Sequence, residues 1–244
     1  MKDSPSTRAS DNSVKKQQQQ TETTNFRQRA QHYGQAALYI GACGGIGLGL
    51  YAMFRRYSTE TDIPERVIKG HRKLHGYMVN VTDGDTFRFY HVPLWRWMFT
   101  KRPEEKARGV SKSTICVRIS AVDAPEMAHF GNPEQPLARK AKEYLHGQLE
   151  GRAVTIKPLA KDQYGRVVAT VTYRSLWVFK KNAAHEMLRS GLATLYTGGN
   201  AQYDGEKELL DRIQADAKSA KLGVWKLKNF KTPAEYKREH KKAR

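Results

Sequence analysis

Hydrophobic patterning divides the chain into three regions. Residues 1–34 show almost no large apolar positions, only Ser, Thr, Asn and a QQQQ run. Such a segment cannot bury enough surface to offset the entropy of ordering and is expected to be a disordered polar tail. Residues 36–54, AALYIGACGGIGLGLYAMF, are apolar and without charge. From Gly70 onward, short runs alternate. Residues 76–90, 114–122 and 153–173 carry the period of two expected of half-buried strands, the last broken by a turn near 162–166. PLARKAKEYLHGQL instead places Leu137, Ala141, Tyr144, Leu145 and Gln148 at helical spacing, with Gly151 as its stop. NAAHEMLRSG and DGEKELLDRIQADAKSAK read as two further helices. About five short strands with helices at one end predict an α+β fold, a five-stranded OB-type Greek-key β-barrel with three helices over 70–227. A single transmembrane helix precedes it, 55–69 is expected to be a linker, and 228–244 a basic tail.

The apolar run has the length of a membrane span. At 1.5 Å per residue it reaches roughly 28 Å, close to the hydrocarbon thickness of about 30 Å. Arg27 and Arg29 stand before it and Arg55 and Arg56 after it. The alternative is a buried core helix, but its five glycines would each cost up to about 1 kcal/mol relative to Ala in water. Gly41, Gly45 and Gly49 form a small-residue stripe that could pair two such helices, although glycines are also common in lone spans. Arg55, Arg56, Arg66, Lys69, Arg72 and Lys73 outnumber the N-terminal flank, so positive-inside counting keeps the C-terminal domain on the side of synthesis or in the matrix. Asp3, Asp11 and Glu22 set the tail apart from acid-poor cleavable presequences, and the apolar run begins too late for a secretory signal.

With 244 residues, 39% of them hydrophobic, the chain has room for one packed domain plus extensions. Cys43 and Cys116 lie far apart with no paired Cys/His spacing nearby, which excludes a disulfide framework and a zinc site. Charge changes the picture most. The net is +19, and residues 70–244 hold 33 Lys+Arg against 18 Asp+Glu, a net of +15, ending in the run KNFKTPAEYKREHKKAR. Such a surface concentrates polyanions without reading sequence, and would draw anionic lipid as well.

Within this basic chain, VNVTDGDTFRF at 79–89 places Asp83 and Asp85 around Gly84. Alone, Asp-Gly between alternating apolar residues is a plain hairpin turn. VRISAVDAPE adds Arg118, Asp123 and Glu126. Arg118 and Asp123 are an odd number of positions apart, so a bulge or a strand end must re-aim one of them to bring them together. DQYGR adds Arg166 beyond a turn at Gly165. Together the pieces suit phosphodiester hydrolysis. Asp85 and Asp123 are hard oxygen ligands for Ca²⁺ or Mg²⁺, with backbone carbonyls and water completing the shell. Glu126 can deprotonate a water. Arg118 and Arg166 can bind phosphate oxygens bidentately and stabilise a five-coordinate phosphorus.

These blocks resemble the staphylococcal nuclease (thermonuclease) family. The likeness runs from about Gly76 to Trp225 through DGDT, the R-x4-D-x-P-E spacing, GNPEQPLARKAKEYL, YGR, NAAHEMLRSGLA and LGVW. It implies an OB barrel with three helices and a Ca²⁺ ion held by Asp85, Asp123 and the carbonyl of Ala124, where the family usually has a hydroxyl residue. It implies Glu126 as general base, Arg118 and Arg166 as the phosphate-binding pair, Tyr164 as a wall of the nucleotide pocket, and Asp83 as a carboxylate behind the ligands. With a span ahead of the domain, the chain resembles the fungal membrane-anchored mitochondrial endonuclease branch, which implies a single-pass protein of a mitochondrial membrane. One departure is the insertion at 90–113, YHVPLWRWMFTKRPEEKARGVSKS. Its Trp95, Trp97 and Phe99, interleaved with Arg96, Lys101 and Arg102, suit an interfacial membrane patch, a stacking platform for single strands, or a plug over the barrel mouth. The expectation is a membrane-tethered, Ca²⁺-dependent endonuclease of low sequence specificity acting on DNA, with RNA an open second substrate. The rivals are a non-catalytic nucleic-acid-binding tether and a membrane scaffold.

Overall fold

The computed structural model describes residues 54–93, 110–128, 132–175 and 179–242. The expected tail at 1–34, nearly all of the expected span at 36–54, and most of the 90–113 insertion lie outside the described residues. Among the described residues no helix is long and apolar enough to cross a membrane.

Strands β1 (Leu74–Asp83), β2 (Thr86–His91) and β3 (Ile115–Ile119) form an antiparallel meander. Strand β4 is the short Val122–Asp123. Strands β5 (Ala153–Lys161) and β6 (Val167–Ser175) form a hairpin, and β5 pairs antiparallel with β1. A parallel pairing of β3 with β6, Val117 opposite Val167, closes the five strands into a barrel. Strand β7 (Phe179–Asn182) extends β6, and β8 (Thr194–Leu195) pairs with β4. Alternation puts Met78, Val81, Phe87, Phe89, Val117, Ile119, Ile156 and Val171 inside, each no more than 1% exposed. Closure leaves those five strands no free edge.

The helices expected from spacing form α2 (Ala138–Leu149), α3 (Ala183–Arg189) and α4 (Lys207–Ser219). Helix α2 buries Ala138, Ala141, Leu145 and Leu149, a stripe that recurs every three or four residues. Helix α3 starts where the Asn182 side chain accepts the Ala184 N–H at 2.9 Å.

One expectation is corrected, and a second gains detail. Residues 55–69 are not a linker: helix α1 (Glu65–Lys69) forms there, and Tyr57, Ile63, Val67 and Ile68 are buried in the core. The strap is also bonded to the barrel, since the Tyr57 N–H donates to His91 Nδ1 at 3.0 Å and Glu60 accepts from Arg88 and the Cys116 N–H. Its apolar residues are too few and too near one another for a periodic signal. The basic tail likewise contains helix α5 (Pro233–Lys242). It is fixed by the Tyr236 hydroxyl on the Pro133 carbonyl, while the Lys231 carbonyl ahead of it accepts from Gln135 Nε2.

Candidate active site

The DGDT turn connects β1 to β2, with Asp83 opposite Thr86. Gly84 does not serve a positive φ here. A Cβ at Gly84 would lie 2.6 Å from the Ala124 Cβ and 3.0 Å from the Ala141 Cβ, so glycine lets the turn pack on the β4 end and on α2. This is a hairpin turn pressed into the core, and it leaves Asp85 only 3% exposed.

Strand β3 delivers Arg118, and the corner after it solves the alignment problem. Ala121 takes φ 65, a left-handed conformation that L residues seldom adopt, and swings the chain into β4. Asp123 is thereby re-aimed at Arg118. Arg118 Nη1 contacts Asp85 Oδ2 at 2.9 Å and Nη2 contacts Asp123 Oδ1 at 2.7 Å. One guanidinium thus holds both expected ligand carboxylates, and the two raise its affinity for its own proton against the cost of burial. Thr86 donates its hydroxyl to Asp85 Oδ1 at 2.8 Å.

Glu126 follows Pro125 and is fixed from both sides by Gln135, which accepts the Glu126 N–H and donates its own N–H to the Glu126 carbonyl, each at 2.9 Å. Burial raises the Glu126 carboxyl, opposed by Lys237. Asp83 accepts the Gly84 N–H, and burial together with Asp85 and Glu126 pushes its carboxyl up to about 7. On the β5–β6 turn, Asp162 accepts N–H groups of Tyr164 and Arg166 and takes Arg166 Nε at 2.6 Å. Gly165 provides the turn's φ of 80. Arg166 Nη1 then lies 3.5 Å from Thr86 Oγ1, and Tyr164, 75% exposed, stands beside the guanidinium. Every residue singled out in the described chain is therefore drawn to one end of the barrel.

Sequence reasoning missed four participants. Thr86, Asp162 and Gln135 support Asp85, Arg166 and Glu126, and only Asp162 carried a signal, its Asx-type spacing to the turn. The fourth is Lys237 on α5, whose Nζ lies 3.1 Å from Asp123 Oδ1 and 2.7 Å from Glu126 Oε1. Nothing distinguishes it in a basic tail.

The residues fit a hard divalent cation. Asp85, Asp123 and Glu126 face Arg118 and Lys237, with Asp83 behind them, its carboxyl raised by burial first and then by Asp85 and Glu126. Among the described residues no group of three or more His, Cys, Asp or Glu side chains stands at metal-ligand spacing. An ion would therefore take two carboxylates, a main-chain carbonyl and water, a normal set for such ions.

Comparison with known proteins agrees with this geometry. Residues 116–227 match the family described as "Staphylococcal nuclease homologue". "Endonuclease Htp3" of Saprolegnia parasitica is 39% identical over 198 residues, covering 79% of this chain and 92% of that protein. "Probable endonuclease LCL3" of Candida tropicalis is 38% identical over 201 residues, covering 80% and 85%. The protein of the same name in Schizosaccharomyces japonicus is 36% identical over 217 residues, covering 83% and 93%. By its closed barrel, its clustered carboxylates and arginines, and these extended identities, the chain belongs to the staphylococcal nuclease-like endonuclease family.

Proposed function

We propose that the barrel domain is a Ca²⁺-dependent endonuclease that hydrolyses phosphodiester bonds of DNA, and of RNA as a second substrate, with low sequence specificity. We further infer that residues 36–54 tether it as a single-pass protein of a mitochondrial membrane. The observation that carries the catalytic reading is the Arg118 guanidinium joining Asp85 and Asp123, with Glu126 and Arg166 converging on the same cluster.

Bound by Asp85, Asp123 and the Ala124 carbonyl, the ion would polarise a phosphoryl oxygen and acidify a water. The remaining steps fall to side chains. Glu126, raised by burial, is a better base near neutrality than a solvated glutamate and takes the proton of the attacking water. Arg166, braced by Asp162, pairs with phosphate oxygens as charge develops on them. Arg118 bridges the two carboxylates through Nη1 and Nη2 and offers its remaining donors to the same phosphate. Tyr164 gives an exposed ring on which a base can stack. Because these contacts address phosphate and base faces and leave base edges alone, the specificity is low.

The tether rests on the length and apolarity of 36–54, and Gly41, Gly45 and Gly49 are the face by which two spans would associate. Chelation with excess EGTA, or Asp123→Asn, is expected to abolish cleavage while the circular dichroism spectrum is kept. Full activity in EGTA without another divalent ion contradicts the assignment. The full chain is expected to stay in the membrane pellet at alkaline carbonate pH, and its extraction contradicts the tether.

A further inference from the structure

A second cationic site lies at the opposite end of the barrel. The start of β1, the start of β5 and the end of β6 border a cleft of about 400 Å³ lined by Lys73, His75, Thr155, Thr172, Arg174 and Lys180. The DGDT and DQYGR turns sit at the other ends of these same strands. A register row crosses the cleft, His75 opposite Thr155 and Thr155 opposite Thr172, with His75 Nδ1 3.0 Å from Thr155 Oγ1.

Three features point to an anionic ligand. The β6–β7 register sets Arg174 directly opposite Lys180, a like-charge pair that is unfavourable unless something negative joins it. Among the described residues no carboxylate forms an ion pair with Lys73, Arg174 or Lys180, whereas nearby Lys157 and Lys181 pair with Asp204 and Glu186. Thirdly, the positive potential converges on the cleft: burial first, then Lys73, Lys180 and Arg174, hold the His75 imidazole below its usual value, with no carboxylate opposing them.

We propose that this cleft is a second binding site for the phosphodiester backbone, engaging a substrate strand well beyond the bond to be cut. The inference rests on the nuclease reading above. Lys and Arg without a carboxylate partner are usual donors to phosphate oxygens, and the Thr172 hydroxyl, engaged only by a 3.5 Å bond to the Thr155 carbonyl, can add one. Strand rise from His75 to Asp83 and from Thr155 to Lys161 gives a path of roughly 20 to 25 Å along the curved strands, an upper bound on the separation of the cleft from the catalytic turns. At the duplex rise of about 3.4 Å per phosphate this path corresponds to about seven nucleotides, and an extended single strand covers it with fewer, while a dinucleotide is too short to engage both sites. A concave site with hydroxyls on its floor suits a polymer threaded through it better than a flat lipid surface.

The test uses the full chain carrying Lys73→Gln, Arg174→Gln and Lys180→Gln together, with Arg174→Gln alone as a milder variant. The three side chains are exposed and lie outside the catalytic cluster. Binding of single-stranded DNA of about two and about thirty nucleotides is measured in EGTA across a salt series. The triple variant is expected to weaken the long strand at least tenfold and to reduce its log–log salt slope by about two to three, and the single variant by about one, with the short strand unaffected. Cleavage of the short strand should match wild type. An unchanged slope for the long strand, equal weakening at both lengths, or weakened binding only to phosphatidylserine vesicles overturns the proposal. If wild type cleaves neither strand but the length-dependent loss persists, the nuclease reading falls while the cleft stands as a nucleic-acid site.

Discussion

His91 couples the strap to the barrel through one nitrogen. Its Nδ1 accepts the Tyr57 N–H, and its ring stacks on Tyr57 at 5.1 Å between centroids. Burial, with Arg56 and His75 adding to it, depresses the imidazole to about 4. The fold therefore favours the neutral ring, and its contribution is complete above the unfolded value of about 6.5 and is lost as pH falls toward about 4. Those values correspond to about 3 kcal/mol. His91→Asn keeps an acceptor near the Nδ1 position and does not titrate. Urea unfolding from pH 7 to pH 4 should show wild type losing about 3 kcal/mol more than the variant, and equal losses contradict this account of the strap. At Asp83 the sign is reversed: a carboxyl raised to about 7 favours the protonated form, so its share of stability is largest in acid and declines with rising pH.

At the scale of elements, α5 matters because it carries a cation into the site. Lys237, 44% exposed in its side chain, contacts both Asp123 and Glu126 and supplies positive charge where a divalent ion would be drawn. The helix does not depend on that lysine, since Tyr236 holds it against Pro133. Calorimetric Ca²⁺ titration of Lys237→Met is expected to show affinity raised on the order of tenfold, as the carboxylates lose an internal competitor. Unchanged or weaker affinity contradicts that competition. This lysine also marks where the sequence stops being legible. The strands, α2 to α4 and the DGDT, DAPE and YGR blocks were readable because alternation, caps and turn residues are local signals. The corner at Ala121 was not, because alanine does not announce a positive φ, and only the need to re-aim Asp123 hinted at it. The core residues of 55–69 were hidden by the strap's brevity, and Lys237 by a hundred residues of separation from its partners.

Over the whole molecule, a +19 chain gathers polyanions, while four of its 24 acids, Asp83, Asp85, Asp123 and Glu126, meet at one end of the barrel. In the proposed reading the basic surface gives affinity that falls with salt, and the carboxylates at the β1–β2 turn and after β3 give reactivity. The account stands or falls on whether that second function exists. In the proposed mechanism Glu126, whose main chain Gln135 holds on both sides, is the base that acts on water, and its charge opposes binding to phosphate. The most direct measurement is single-turnover DNA cleavage in Ca²⁺ by wild type and Glu126→Gln, with oligonucleotide binding followed in parallel. The account predicts a rate lowered by roughly 10²- to 10⁴-fold with binding unchanged or slightly tighter. Equal rates in the two proteins, or binding without cleavage by wild type, would contradict it.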